Sequence, residues 1–230
     1  AAVDQNKLRL TIGGNKLVWN SAPEDGNLNR PLEVPKDFDN NSMYGLYLQG
    51  KNYISFKDYI KAEEMLNECL KKDPNYAPAL SDLALLQIRK FQYKDAVKSA
   101  AKALAINNYD PAANYYYALS NMHLGNNIDA KDGFDIAAAS VEYRSAAYTA
   151  LSQIYFIEND LTKATEYAEK SLLNNQNNLE GLQLLAVIYR LQNNKNKAVA
   201  TLNKINNVDP LNHFEGFENF LWANSDADRK

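Results

Sequence analysis

The chain holds 230 residues, 46% of them hydrophobic and 23% charged, with a net charge of −3. This balance excludes a disordered or fibrous chain, and the small net charge supplies no field that would draw it to nucleic acid or to an anionic membrane. No apolar run reaches the ~18 residues of a membrane span, and a single cysteine, Cys69, rules out an intrachain disulfide.

The chain begins Ala1-Ala2-Val3, with neither a methionine nor a signal-like apolar stretch. The expectation is therefore a processed protein or an excised fragment. Leu8, Leu10 and Ile12 alternate with polar residues, Gly13-Gly14-Asn15 punctuates, and Leu17, Val18 and Trp19 come next. That pattern predicts a short β-hairpin. Residues 20 to 42 are rich in Pro, Asn and Asp, with Arg30-Pro31-Leu32 and Val34-Pro35 predicting an extended connector. A lone two-stranded hairpin is marginal in water. Residues 1–42 therefore read as the end of an upstream β domain, with docking to the rest of the chain also expected.

From Met43 the chain divides into five consecutive segments of 34 residues: 43–76, 77–110, 111–144, 145–178 and 179–212. Position twenty of each is alanine: Ala62, Ala96, Ala130, Ala164 and Ala198. Position eight is small throughout, as Gly50, Ala84, Ala118, Ser152 and Ala186. Position twenty-seven is Cys69, Ala103, Ala137, Ser171 and Ile205, and position twenty-four is the apolar series Leu66, Ala100, Phe134, Ala168 and Leu202. A fixed period of this length is the signature of stacked helical repeats. Small residues in register let two helix backbones approach, and larger apolar neighbours fill the space between them. Cys69 stands in a small-residue column, which points to packing and not to reactivity. Asn41-Ser42 and Asp110-Pro111 have the chemistry of helix starts, while Asp73-Pro74 and Asp209-Pro210 break the chain between segments. After the fifth segment, Phe214, Phe217, Leu221 and Trp222 recur at helical spacing. Residues 213–230 therefore read as a capping helix and polar tail, since a repeat array needs a terminal element over its last apolar face.

These columns resemble the tetratricopeptide repeat, W-x2-L-G-x2-Y, then A-x3-F, then P. Segment five carries Leu182, Leu185-Ala186, Tyr189, Ala198, Leu202 and Pro210 at those places. Segment three departs most, with Asn114 and Asn121 at the fourth and eleventh positions. The fold expected is all-α, an α-α superhelix of five tetratricopeptide repeats with a C-terminal capping helix, preceded by a short β-hairpin. The stretches Asn108–Tyr117, Asp129–Phe134 and Glu142–Tyr148, with Leu28–Leu32 and Asp209–Phe214, resemble more narrowly the C-terminal part of large bacterial proteins in a family of unknown function. Those proteins carry an upstream region similar to galactose mutarotases. The resemblance implies a sugar-related parent, and no catalytic residue passes to this chain from it.

Chemistry is sparse. His123 and His213 lie far apart, without Cys, Asp or Glu at metal-ligand spacing. Glu63, Glu64, Glu166 and Glu169 fall on second helices as solvated faces, and no pair of carboxylates is set across a cleft. No catalytic residue, cofactor or metal site is expected. The tetratricopeptide resemblance implies a concave groove lined by the first helix of each repeat. Here it would present Tyr44, Tyr47 and Lys51, then Ser81, Leu85 and Arg89, then Tyr115, Leu119 and Met122, then Thr149, Gln153 and Phe156. Tyrosine offers large contact area at low entropy cost, which suits recognition, although these rings equally suit packing between repeats. The Lys/Asn/Arg clamp that some family members use for a C-terminal carboxylate is not reproduced, because Leu85, Leu119 and Thr149 flank Lys51 and Arg89. A mixed apolar protein or peptide segment is the expected partner, with the parent's own upstream domains one candidate. Two functions stay open: a non-catalytic interaction scaffold, or the accessory region of a carbohydrate-active enzyme whose catalytic domain lies upstream.

Overall fold

The computed structural model describes residues 8–14, 17–21 and 37–227. Of the connector read over 20–42, residues 22–36, including Leu28–Leu32, lie outside the described residues, as do the last three residues of the tail. The chain divides into two units, residues 1–39 and 40–230.

In the first unit, β1 (Arg9–Ile12) pairs antiparallel with β2 (Leu17–Asn20), matching Leu10 to Trp19 and Ile12 to Leu17. Gly13 and Gly14 both take positive φ at the turn, a conformation glycine adopts without penalty. Ser21 closes the open end: its N–H donates to the Leu8 carbonyl, and its Oγ accepts from the Leu8 N–H. Leu8, Leu10, Ile12 and Trp19 are all exposed.

The second unit is helical throughout. Its helices form five hairpins: α1 (Met43–Ser55) with α2 (Tyr59–Lys72), α3 (Ala77–Arg89) with α4 (Tyr93–Ile106), α5 (Pro111–His123) with α6 (Asn127–Ala137), α7 (Val141–Ile157) with α8 (Leu161–Asn174), and α9 (Leu179–Leu191) with α10 (Lys195–Val208). A terminal helix, α11 (Phe214–Ala227), completes the unit. The starts are chemically determined. Ser42, Asp58, Asp110, Asp160, Asn178 and Asn194 each accept a hydrogen bond from the backbone N–H three residues on. Pro111 occupies the first turn of α5, where no N–H is missed.

The period is written in the backbone as well as in the side chains. Lys57, Phe91, Gly125, Asn159 and Asn193, each fifteenth in its segment, all take positive φ between 56° and 82° to close the intra-hairpin turn. The four small or apolar columns are buried in all five segments, and Phe134 and Leu66 are the largest side chains fully removed from solvent. Two contacts show how close the backbones come. A Cβ on Gly50 would stand 2.8 Å from Leu66 Cδ2, and one on Gly133 would stand 2.9 Å from Ala118 Cβ and 3.0 Å from the Asn114 carbonyl. The unusual asparagines of segment three are satisfied locally: Asn114 Nδ2 donates to the carbonyls of Asn108 and Asp110, and Asn121 Nδ2 donates to that of Tyr117.

One junction breaks the pattern. The helices α2, α4, α8 and α10 end at the thirtieth position, and a C-cap residue follows at the thirty-first (Asp73, Asn107, Asn175, Asp209), extended in the first three. Helix α6 stops three residues sooner, at Ala137, and α7 begins at Val141, four residues ahead of the segment boundary. The extra turn makes α7 17 residues long against 13 for α1, α3, α5 and α9. Arg144 stitches the corner, donating from Nε to the Ala138 carbonyl and from Nη2 to that of Ala139, each at 2.8 Å. At the far end Trp222 of α11 packs with Leu185 and Tyr189, while Phe214 meets Leu182 and Ile205. Glu218 is 2% exposed and accepts from Arg190 Nε at 2.6 Å. Phe217 and Phe220 face outward.

Candidate functional site

Residues of α1, α3, α5 and α7, with the turns that precede α5 and α7, line one open cavity of about 330 Å3. Tyr47, Lys51, Ser81 and Leu85 of the expected set meet there. They are joined by Asp82, Asp110, Tyr116, Glu142 and Tyr143, which sequence reasoning did not place in it. Asp82 lines the cavity and is 7% exposed. Lys51 Nζ stands 3.6 Å from Asp82 Oδ1, an ion pair longer than a hydrogen bond, and the lysine side chain keeps half its surface in solvent. Asp82 Oδ2 is buried and accepts no hydrogen bond. Burial pushes the Asp82 carboxyl above the usual carboxylate range, against the pull of Lys51 and of the Tyr47 hydroxyl. The neighbouring Asp110 adds to the rise, while its own Oδ1 is held by the Ala113 N–H at the start of α5.

The aromatic walls come from two clusters. Tyr47 meets Tyr76 edge-on at 5.1 Å and Tyr44 at 6.4 Å. Tyr116 meets Tyr143 edge-on at 6.2 Å, and Tyr115 lies 5.2 Å from Tyr143. Burial is the first cause that pushes the Tyr47 and Tyr116 hydroxyls well above the ordinary tyrosine value. These groups are therefore neutral at any physiological pH.

The other predicted groove residues are used elsewhere. Arg89 lies over the Tyr59 ring, 4.7 Å from its centroid. Tyr115 packs on Phe134, with its hydroxyl pushed up to about 12 by burial. Leu119 and Met122 pack on the same cluster. Thr149 is 2% exposed, and its hydroxyl joins Ser145, Ser171 and Asn178 in a buried polar network. Gln153 donates to Glu180 at 2.6 Å, and Phe156 is half-buried near the end of α7. Asp82 from within α3, Asp110 from the cap of α5 and Glu142 from the early start of α7 add three carboxylates to the cavity lining. Cys69 is buried, and His123 stacks on Tyr93 at 4.3 Å. Among the described residues, no group of His, Cys, Asp or Glu is placed to hold a metal ion.

A family model of the tetratricopeptide repeat matches residues 45–76, 145–178 and 179–210. The array is a tetratricopeptide-repeat superhelix. Solved structures of the same fold include pilF of Pseudomonas aeruginosa (21% identical, TM-score 0.71, covering 81% of this chain and 85% of that one). MamA from Desulfovibrio magneticus RS-1 is 15% identical, with a TM-score of 0.63 and 73% and 95% of the two chains covered. YrrB, described as a TPR protein with an unusual peptide-binding site, is 17% identical, with a TM-score of 0.60 over 77% and 91%. At these identities the likeness concerns the fold. No curated protein matches the chain. The second and third tetratricopeptide segments escape the family model. Segment three carries asparagines where its pattern wants larger apolar residues, and its border with segment four is the irregular α6–α7 junction.

Tetratricopeptide arrays are interaction scaffolds that hold proteins or peptides and are generally non-catalytic. Among the described residues, no helix is long and apolar enough to cross a membrane.

Proposed function

We propose that this chain is a non-catalytic scaffold that holds an extended protein segment along the inner face of its helices, from Tyr44 and Tyr47 to the α7 extension. The observation that carries the reading is the cavity to which four successive inner helices contribute, walled by tyrosines and open to solvent. Tyrosine walls give contact area with little entropy loss on binding. That YrrB, on the same fold, is described as having an unusual peptide-binding site supports the reading by analogy. No observation among the described residues favours the carbohydrate-active alternative.

The test is a selection of random dodecapeptides against the chain. Binders are then mapped by their broadening of backbone NMR signals and by a Tyr44→Ala/Tyr47→Ala variant. Signals clustered on α1, α3, α5 and α7, with binding weakened about tenfold or more in the variant, would support the inner face as the docking surface. Binders that map to α2, α4 and α8 and ignore the variant would overturn it. Denaturation midpoints measured alongside separate lost binding from lost fold.

A further inference from the structure

The cavity on the inner face has an unequal charge balance. Three carboxylates, Asp82, Asp110 and Glu142, face one ammonium, Lys51. Asp110 is occupied as the α5 cap, and Glu142 lies at the exposed rim. Asp82 is different: it is more than nine-tenths buried, it lines the cavity, and Oδ2 has no donor. A buried carboxylate oxygen without a donor is costly, so Oδ2 leaves the site incompletely satisfied even with Lys51 paired to Oδ1. We propose that this cavity is a subsite for an arginine side chain of the docked segment, with the guanidinium on Asp82 and the Tyr47, Tyr116 and Tyr143 rings around it. The inference rests on the inner face being the docking surface.

The chemistry selects among occupants. An anion would meet a net negative cavity. A metal ion would need several converging ligands, and among the described residues no group of His, Cys, Asp or Glu is placed to hold one. A cation edged by tyrosine faces gains from the ring quadrupoles as well as from the carboxylate. Lysine chemistry is already present in Lys51, whose ammonium stops 3.6 Å short and leaves Oδ2 unfilled. A guanidinium presents paired, coplanar N–H groups that serve both oxygens of one carboxylate at once, and its flat faces stack on tyrosine. The volume, about 330 Å3, is at the small end of the ~300–1,000 Å3 range of ligand pockets. That suits one side chain, with the rest of the segment lying along the helices. Lys51 then acts as a weak internal competitor that swings out into solvent when the arginine enters.

The experiment uses the dodecapeptide selection on the whole chain, repeated with Asp82→Asn and Lys51→Met. Asparagine keeps the shape and removes the charge, and the midpoint of chemical denaturation shows that the array persists. The expected result is enrichment of arginine in the inner-face binders. Affinity should fall about thirtyfold or more in Asp82→Asn, the effect of removing one member of a buried charge pair, and rise in Lys51→Met. Arginine-to-lysine replacement in a selected peptide should lose most of the affinity. Inner-face binders without arginine enrichment, equally tight on wild type and Asp82→Asn, would overturn the subsite while leaving the docking surface in place. Absence of inner-face binders would overturn both. Displacement of selected peptide by free arginine amide on the wild type alone would support the assignment independently of peptide sequence.

Discussion

At the fifteenth position of every segment one residue turns the chain through a left-handed conformation, and the five residues there bear the strain unequally. Glycine adopts it freely and asparagine tolerates it, whereas Lys57 and Phe91 must hold a Cβ close to a carbonyl oxygen. Lys57→Gly should therefore stabilise the array by about 0.5–1 kcal/mol, since relief of roughly 1–2 kcal/mol is partly offset by the entropy glycine loses on folding. The reverse change, Gly125→Ala, meets no atom within 4 Å and should cost about 1 kcal/mol through backbone strain alone. Chemical denaturation of both variants checks the pair; shifts of the same sign would contradict it. Ala130 tests the other regular position. It is wholly buried between α5 and α6, and Ala130→Leu should overpack that hairpin by about 1–3 kcal/mol. An unchanged midpoint would mean that the column is not a close-contact site.

Among the elements, α11 is attached most distinctively. Its anchors are Trp222 among apolar neighbours and Glu218 on Arg190, a carboxylate brought almost wholly out of water to meet a partly exposed guanidinium. Removing the cation leaves that charge buried alone. Arg190→Met should cost about 3 kcal/mol, the low end for breaking a buried pair because Arg190 keeps part of its surface in solvent. The double change Arg190→Met/Glu218→Leu should recover most of the loss, since an apolar pair of similar volume often replaces a buried ion pair without penalty. Trp222 fluorescence reports the docking of α11 directly. A double variant as unstable as the single would show that the pair does more than neutralise itself.

The elements also show what could be read from residues alone. Helix pairs, their polar turns and the cap were legible because small residues recur at fixed spacing and because Ser42 and Asp110 carry capping chemistry. The α6–α7 junction was not, although a signal was present. Ala138-Ala139-Ser140-Val141-Glu142 contains none of the Pro, Asn or Asp residues that interrupt the chain at Asp73-Pro74, Asn107-Asn108 or Asp209-Pro210. A helix start moved by one turn then carried Glu142 and Tyr143 to the cavity. Asp82 and Tyr116 were missed for a different reason. Both are sixth in their segments, and whether such a residue packs inward or lines the groove depends on how much space its neighbours leave.

For the whole molecule the buried carboxylate predicts how stability varies with pH. The folded value of Asp82 lies above its ordinary unfolded value, because burial and Asp110 outweigh Lys51 and Tyr47. Between the two values the folded chain binds more protons than the unfolded one, so this group's contribution to stability rises as pH falls through that window. Above it, the cost of the buried charge is fully present. Asp82→Asn should therefore exceed wild type in stability at neutral pH, and the gap should close on acidification toward the ordinary carboxylate range. Denaturation midpoints of both proteins against pH test this. A gap that does not vary with pH would place the Asp82 charge in water. The variant that probes recognition is thus expected to be the more stable protein, which marks stability given up for a charged site.

The displaced start of α7 bears on how this array can be taken apart and rebuilt. Modules cut between α2 and α3 or between α4 and α5 end on an extended residue at the same position, Asp73 or Asn107, and the next begins on the same phase. A cut between α6 and α7 divides the Arg144 bonds from the carbonyls of Ala138 and Ala139 that they hold, and parts Tyr143 from Tyr116. The stretch from α5 to α8 is therefore the smallest interchangeable block at the centre of the chain. A grafted array that takes the third or fourth hairpin alone would inherit a seam without its stitching.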